Sequence, residues 1–162
     1  MARFKELPAT SLLSAIRNFD WARTPLGAAL DWPDELIEAV AHVLRVEHPA
    51  LVAWGPDFHQ IYNDAFLPIL RERHPLALGQ PMRLCWPEAW SVTGPIFDSV
   101  LSTGQPMHLT DQPFELMTHD VLETRYFTVD FEPVLLAEGG VGGVQVTSIE
   151  TTATHLLMAF DR

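Results

Sequence analysis

Apolar positions recur at helical spacing near the start of the chain. Leu12, Leu13, Ile16 and Phe19 fall on one stripe of TSLLSAIRNF, residues 10–19, and Thr10 or Ser11 stands where a cap belongs. A stripe this short is expected to dock on the domain or on a second copy. DWARTPLGAALDWP is rich in turn formers and reads as a linker. A second helix is expected over residues 33–46. Pro33 suits its first turn, Asp34 and Glu35 its positive end, and Leu36, Ile37, Val40, Val43 and Leu44 its apolar face. The continuous run Leu51-Val52-Ala53-Trp54 predicts a buried strand. After a turn at Gly55-Pro56-Asp57, Phe58 to Tyr62 predicts its antiparallel partner. Either side chain of Asn63-Asp64 is expected to cap a helix starting at Ala65, with Phe66, Ile69 and Leu70 on its inner face.

Residues 74–90, with three prolines and two tryptophans, break any period and predict short helices and loops over a core. Ile96, Phe97, Val100 and Leu101 restore helical spacing over residues 92–102, and Gly104 sits where a left-handed cap ends a helix. The last third alternates as strands do. Met107 to Thr110 does so weakly. Over residues 124–134, Phe127, Val129 and Phe131 point one way and Tyr126, Thr128, Asp130 and Glu132 the other. AEGGVGG predicts a turn, and Val144 to Ile149 a final strand. Strands placed around a helical middle predict an α+β fold with an antiparallel sheet.

Composition narrows the class. At 162 residues with 48% hydrophobic content the chain suits one globular domain. A formal net charge of −11 argues against nucleic-acid and anionic-membrane partners, which need surplus Lys and Arg. No run approaches the roughly 20 apolar residues of a membrane span. A single cysteine, Cys85, fits a reducing compartment, so a cytoplasmic location is expected.

Several pieces, in order, resemble the PAS sensor domains. Asn63-Asp64-Ala65-Phe66 resembles the family's helix after the second strand, and Leu78-Gly79-Gln80-Pro81 its small helical turn. Thr103-Gly104-Gln105-Pro106 resembles the approach to the third strand. Phe131-Glu132-Pro133-Val134 followed by Gly139 to Gly143 resembles the last hairpin. Ile149-Glu150-Thr151-Thr152 resembles the closing Asp-Ile-Thr, with Glu in place of Asp. Asp31-Trp32-Pro33 and Trp54-Gly55-Pro56 resemble a subgroup at the sensory end of bacterial sensor histidine kinases. The resemblance implies a five-stranded antiparallel sheet in the order 2-1-5-4-3, with helices on one face around a ligand cavity. The expected organisation is an N-terminal helix and linker over 1–34, the sensor domain over 35–152 and a tail over 153–162.

On that reading the candidate ligand-binding residues are Trp54, Tyr62, Phe66, Trp86, Trp90, Phe97, Phe127, Val129 and Gln145. The competing reading is that these aromatic residues fill a closed core. No cofactor is expected, with flavin and haem as lesser alternatives. Flavin-binding relatives carry Asn-Cys-Arg-Phe after a glycine-led turn. Here Gly79-Gln80-Pro81-Met82 follows instead and Cys85 comes later, although Gln145 resembles their strand glutamine. Haem-binding relatives need a histidine on the helix before the third strand; residues 92–102 contain none, and His108 falls just beyond.

None of the seven histidines has metal-site spacing, so no metal is expected. Kinase and hydrolase motifs are absent from this sequence, and the chain is read as a non-enzyme. Three functions follow. The favoured one is a signal-input domain binding a small molecule and relaying occupancy to a downstream signalling domain or kinase. The second is an interaction module with a filled core, forming a homodimer through residues 10–19 and the outer sheet face. The third is a small enzyme using His119 or His59.

Overall fold

The computed structural model describes Leu7 and residues 10–160. Helix α1 (Ser11–Asn18) leads through two short 3₁₀ turns to α2 (Asp34–Arg45). Strands β1 (Ala50–Trp54) and β2 (His59–Tyr62) form the first hairpin. A 3₁₀ turn over Asp64–Phe66 runs into α3 (Leu67–Leu70), followed by α4 (Met82–Cys85) and α5 (Trp90–Thr103). Strands β3 (Met107–Thr118), β4 (Val121–Leu135) and β5 (Val141–Glu150) follow, and α6 (Thr152–Phe160) continues directly from β5. The strands form a single antiparallel sheet in the order β2-β1-β5-β4-β3.

Register decides which side chains share a face. Leu51 lies opposite both Tyr62 and Val146, and Phe131 opposite Val146. One face therefore carries Leu51, Val146, Phe131 and, two residues along β4 at a time, Val129 and Phe127. Helix α5 lies against β4 and β5. The opposite face is also closed at its β1–β2 end. Val52 and Ile61, paired with each other there, are fully buried. Helix α2 contacts both strands, and its Leu36, Val40 and Val43 are fully buried. Helix α1 buries Leu12, Leu13 and Ile16 in the same continuous core. Its stripe is thus occupied within the chain.

Strand β3 runs eight residues beyond the predicted Met107–Thr110. The register shifts between Leu109 and Gln112, and Asp111 takes a positive φ of 48°. Such a bulge inverts the alternation, and Pro113 next to it masks the strand signal. Beyond the bulge Phe114 and Leu116 turn inward. The glycine-rich turn is also shorter than predicted, because Gly142 and Gly143 belong to β5. A Cβ at Gly142 would come within 2.4 Å of the Trp54 ring, so β5 crosses β1 there on bare backbone. Gly104 ends α5 in the left-handed region, as its position predicts.

The predicted cap at Asn63-Asp64 is not formed. Asn63 stands at the N-cap position, but its side chain makes no cap bond. Its Oδ1 instead accepts from the Ala50 amide at 3.2 Å, and its Nδ2 donates to the carbonyls of Val43, Val46 and His48 at 3.0, 3.3 and 2.8 Å. The end of α2 supplies exposed carbonyls that outcompete the short 3₁₀ turn for this side chain. Asp64 reaches away to α1, accepting from the Ser11 and Leu12 amides at 3.2 and 2.8 Å.

Candidate functional site

Between the sheet and α3–α5 lies a cavity of about 80 Å³. Leu51, Phe127, Val129, Phe131, Val146 and Ser148 form its floor, and β3 adds Phe114 and Leu116. Phe66 and Ile69 close one side. Met82, Trp86, Ala89, Thr93 and Phe97 form the roof. Only Thr93 and Ser148 bring side-chain oxygens to this wall.

Five of the nine sequence-derived candidates meet here: Phe66, Trp86, Phe97, Phe127 and Val129. The other four lie elsewhere, each for a definable reason. Gln145 sits between the inward-facing Val144 and Val146, so the period of two turns it to the opposite face, where it pairs with Val52. Trp54, paired with Gly143, lies over the bare glycine backbone of β5. Trp90 is on the first turn of α5, where it stacks on Phe97 at 5.9 Å and leans towards Phe58. Tyr62 is fully buried outside the wall, its hydroxyl 2.6 Å from His74 Nδ1, and burial raises its pKa well above the ordinary range, so the phenol stays protonated. The sequence candidates omit the other ten wall residues, among them Thr93, Phe114, Leu116 and Ser148. The Phe114/Leu116 alternation was visible beyond Pro113; the inward parity of Ser148 follows from that of Val144 and Val146.

Charged side chains tie the wall to the rest of the fold. Arg73 pairs with Glu88 at 2.5 Å, lies over the Trp86 ring at 4.1 Å to its centroid and donates to the carbonyls of Cys85 and Met117. Arg125, buried on β4, donates to the Ile69 carbonyl at 3.2 Å and pairs with Glu150 at 2.7 Å. Burial raises the Glu150 carboxyl, but hydrogen bonds from Arg125 and Thr152 outweigh it and hold the group below the usual range. Glu150 ends β5, and Thr152 begins α6. The wall residue Ile69 is thereby connected to the root of the last helix through one arginine.

Comparison with solved structures places this architecture. The PAS domain of BvgS from Bordetella pertussis superposes with a TM-score of 0.58 at 18% identity, covering 80% of this chain and 96% of that one. The chain has the PAS fold. A Rhodobacter sphaeroides LOV protein matches at a TM-score of 0.55 and 12% identity over 76% of this chain and 74% of that one. A PAS domain from Colwellia psychrerythraea matches at 0.50 and 12% over 73% and 98%. No protein-family profile and no curated protein matches the sequence.

LOV proteins among these neighbours raise the question of flavin, and the residues of this PAS fold do not fit it. Cys85 is buried outside the cavity wall, and that burial pushes its thiol up to about 11, so it is held protonated. Gln145 faces away. The cavity is also small beside the ~300–1,000 Å³ of drug-sized sites. No histidine lines it as a haem ligand would, and His108 is bonded to Asp130 at 2.5 Å on the exposed side of β3. Among the described residues no cluster of three or more His, Cys, Asp or Glu could hold a metal ion.

Proposed function

We propose that the chain is a signal-input PAS domain that takes a small molecule into the cavity between its sheet and α5 and relays occupancy through α6. The observation that carries this reading is the connection from cavity to output. Ile69, in the wall, is held by Arg125, which also holds Glu150 at the end of β5, two residues before α6 begins. A ligand that favours one arrangement of the wall biases that arginine, and with it the last helix, by its difference in affinity between the two states. Downstream, the recipient is a signalling domain such as a kinase module, reached in a cytoplasmic setting. No helix among the described residues is long and apolar enough to cross a membrane.

A second reading, an interaction module, is favoured by α6 itself. It has no buried residue, and Leu157, Met158 and Phe160 are 66%, 60% and 85% exposed. That surface suits a homodimer contact. The contact would not involve α1, whose apolar face is buried within its own chain. The enzyme reading has no supporting cluster. His59 is buried with Nδ1 2.8 Å from the Gly79 carbonyl, and His119 lies in the β3–β4 turn with its amide on Glu72; neither lines the cavity.

Native mass spectrometry of the purified 162-residue chain tests the first reading. A co-purifying small molecule that is lost on Phe97→Trp, with circular dichroism unchanged, supports it. A ligand-free chain whose amide spectrum stays unmoved by a library of compact apolar compounds refutes it.

A further inference from the structure

We infer that the cavity selects a compact apolar molecule bearing one hydrogen-bonding oxygen, and that Ser148 is the residue that selects it; this rests on the ligand-binding reading above. Ser148 is 6% exposed, lies on the inner face of β5 opposite Val129, and borders the cavity. Its backbone amide is used, donating to the Pro49 carbonyl at 3.0 Å. Its hydroxyl makes no hydrogen bond to any described residue. Every neighbour of it in the sheet floor is apolar: Leu51, Phe127, Val129, Phe131 and Val146. That hydroxyl is not among the oxygens sealed in the packing; it opens on the cavity, so its hydrogen-bonding capacity is available to water or to a ligand there.

The opposite wall sharpens the choice. Thr93 on α5 donates its hydroxyl hydrogen to the Ala89 carbonyl at 3.2 Å, which leaves it only as an acceptor. Ser148 can both donate and accept. No charged side chain lines the cavity, so an ionic ligand would lose its hydration without compensation. An engineered apolar cavity of about 150 Å³ admits benzene. The present space of about 80 Å³ is about half of that, so it suits molecules smaller than benzene, such as an alcohol or ketone of three or four carbons.

The test uses two probes of equal heavy-atom count, propan-2-ol and 2-methylpropane, titrated into the full chain and followed by amide chemical shifts. In the wild type both perturb residues around the cavity. Ser148→Ala weakens propan-2-ol roughly five- to tenfold, as loss of one hydrogen bond predicts, and leaves 2-methylpropane within about twofold. Ser148→Thr keeps the hydroxyl and retains the wild-type ratio between the two. If Ser148→Ala shifts both affinities equally, or neither, the role of Ser148 is wrong while the cavity remains a binding site. If neither probe perturbs the cavity residues at all, the ligand-binding reading falls together with the inference.

Discussion

Asn63 holds three pieces of backbone with one amide group, which makes it the side chain whose chemistry is easiest to interrogate. Its oxygen serves the first amide of β1 and its nitrogen serves the Val43 carbonyl in α2 and the His48 carbonyl in the segment that follows, from a buried side chain. Asn63→Ala leaves those groups unpaired and is expected to cost about 2–4 kcal/mol in urea denaturation. Asn63→Asp should cost at least as much at neutral pH, because a carboxylate then faces carbonyl oxygens where a donor stood. If the cap had been its role, Asp would have served nearly as well as Asn. This part of the fold was half legible in the sequence. An Asn at a strand-to-turn junction marks a backbone bridge, but spacing alone does not say whose backbone. Cys85 gives a second residue-scale prediction. With its thiol raised to about 11 by burial, alkylation at pH 8 should be slow in the folded chain and rise by orders of magnitude in denaturant, as read by mass shift.

At the scale of elements, polar contacts set how the periphery attaches to the sheet. Asp64 anchors the first turn of α1 through two amides and the Ser11 hydroxyl. Asp64→Ala should lower protection of the α1 amides in hydrogen exchange about five- to tenfold, equivalent to about 1 kcal/mol, while β4 and β5 stay protected. The Arg125–Glu150 pair attaches the end of β5 and is expected to show in pH dependence. Glu150 is held below its ordinary 4.5, so the pair's contribution is complete above that value and fades as pH falls through the lowered one. Arg125→Met should cost about 2–3 kcal/mol at pH 7, a range discounted because Glu150 is 26% exposed, and the mutant should lose less stability than wild type on acidification. Elements with an uninterrupted period were readable in the sequence: α2, β1, the alternating part of β4, and α5 with its terminal glycine. Strand β3 was not, because the bulge at Asp111 reverses its parity midway and Pro113 stands just after it. The strand order came from resemblance rather than from period, since alternation says which face a residue takes and never which strand lies beside it.

For the whole molecule, a ligand site under α5 and a mere packing defect there respond oppositely to a methylene added to the wall. Val146 lies on the floor of the cavity, next but one to Ser148 along β5. If the space is only a packing defect, Val146→Ile fills part of it, gains about 0.8 kcal/mol in urea denaturation and changes nothing at α6. A ligand site behaves otherwise. Any occupant bound to the folded state stabilises it by mass action, so a chain purified with its ligand loses that contribution when the methylene takes the same volume. The intrinsic gain then appears only in protein stripped of ligand, and the unstripped variant is no more stable than wild type. The second measurement is at the far end of the path. Because Ile69 is joined to Glu150 through Arg125, adding ligand to stripped wild type should alter hydrogen exchange at Thr152 to Phe160, and both Val146→Ile and Arg125→Met should abolish that response, the first by excluding the molecule and the second by cutting the connection. A response that survives Arg125→Met would mean that occupancy reaches α6 through the β4–β5 ladder itself. A variant whose stability gain is the same in stripped and unstripped protein would make the interaction module, with the exposed side of α6 as its contact, the better account of the molecule.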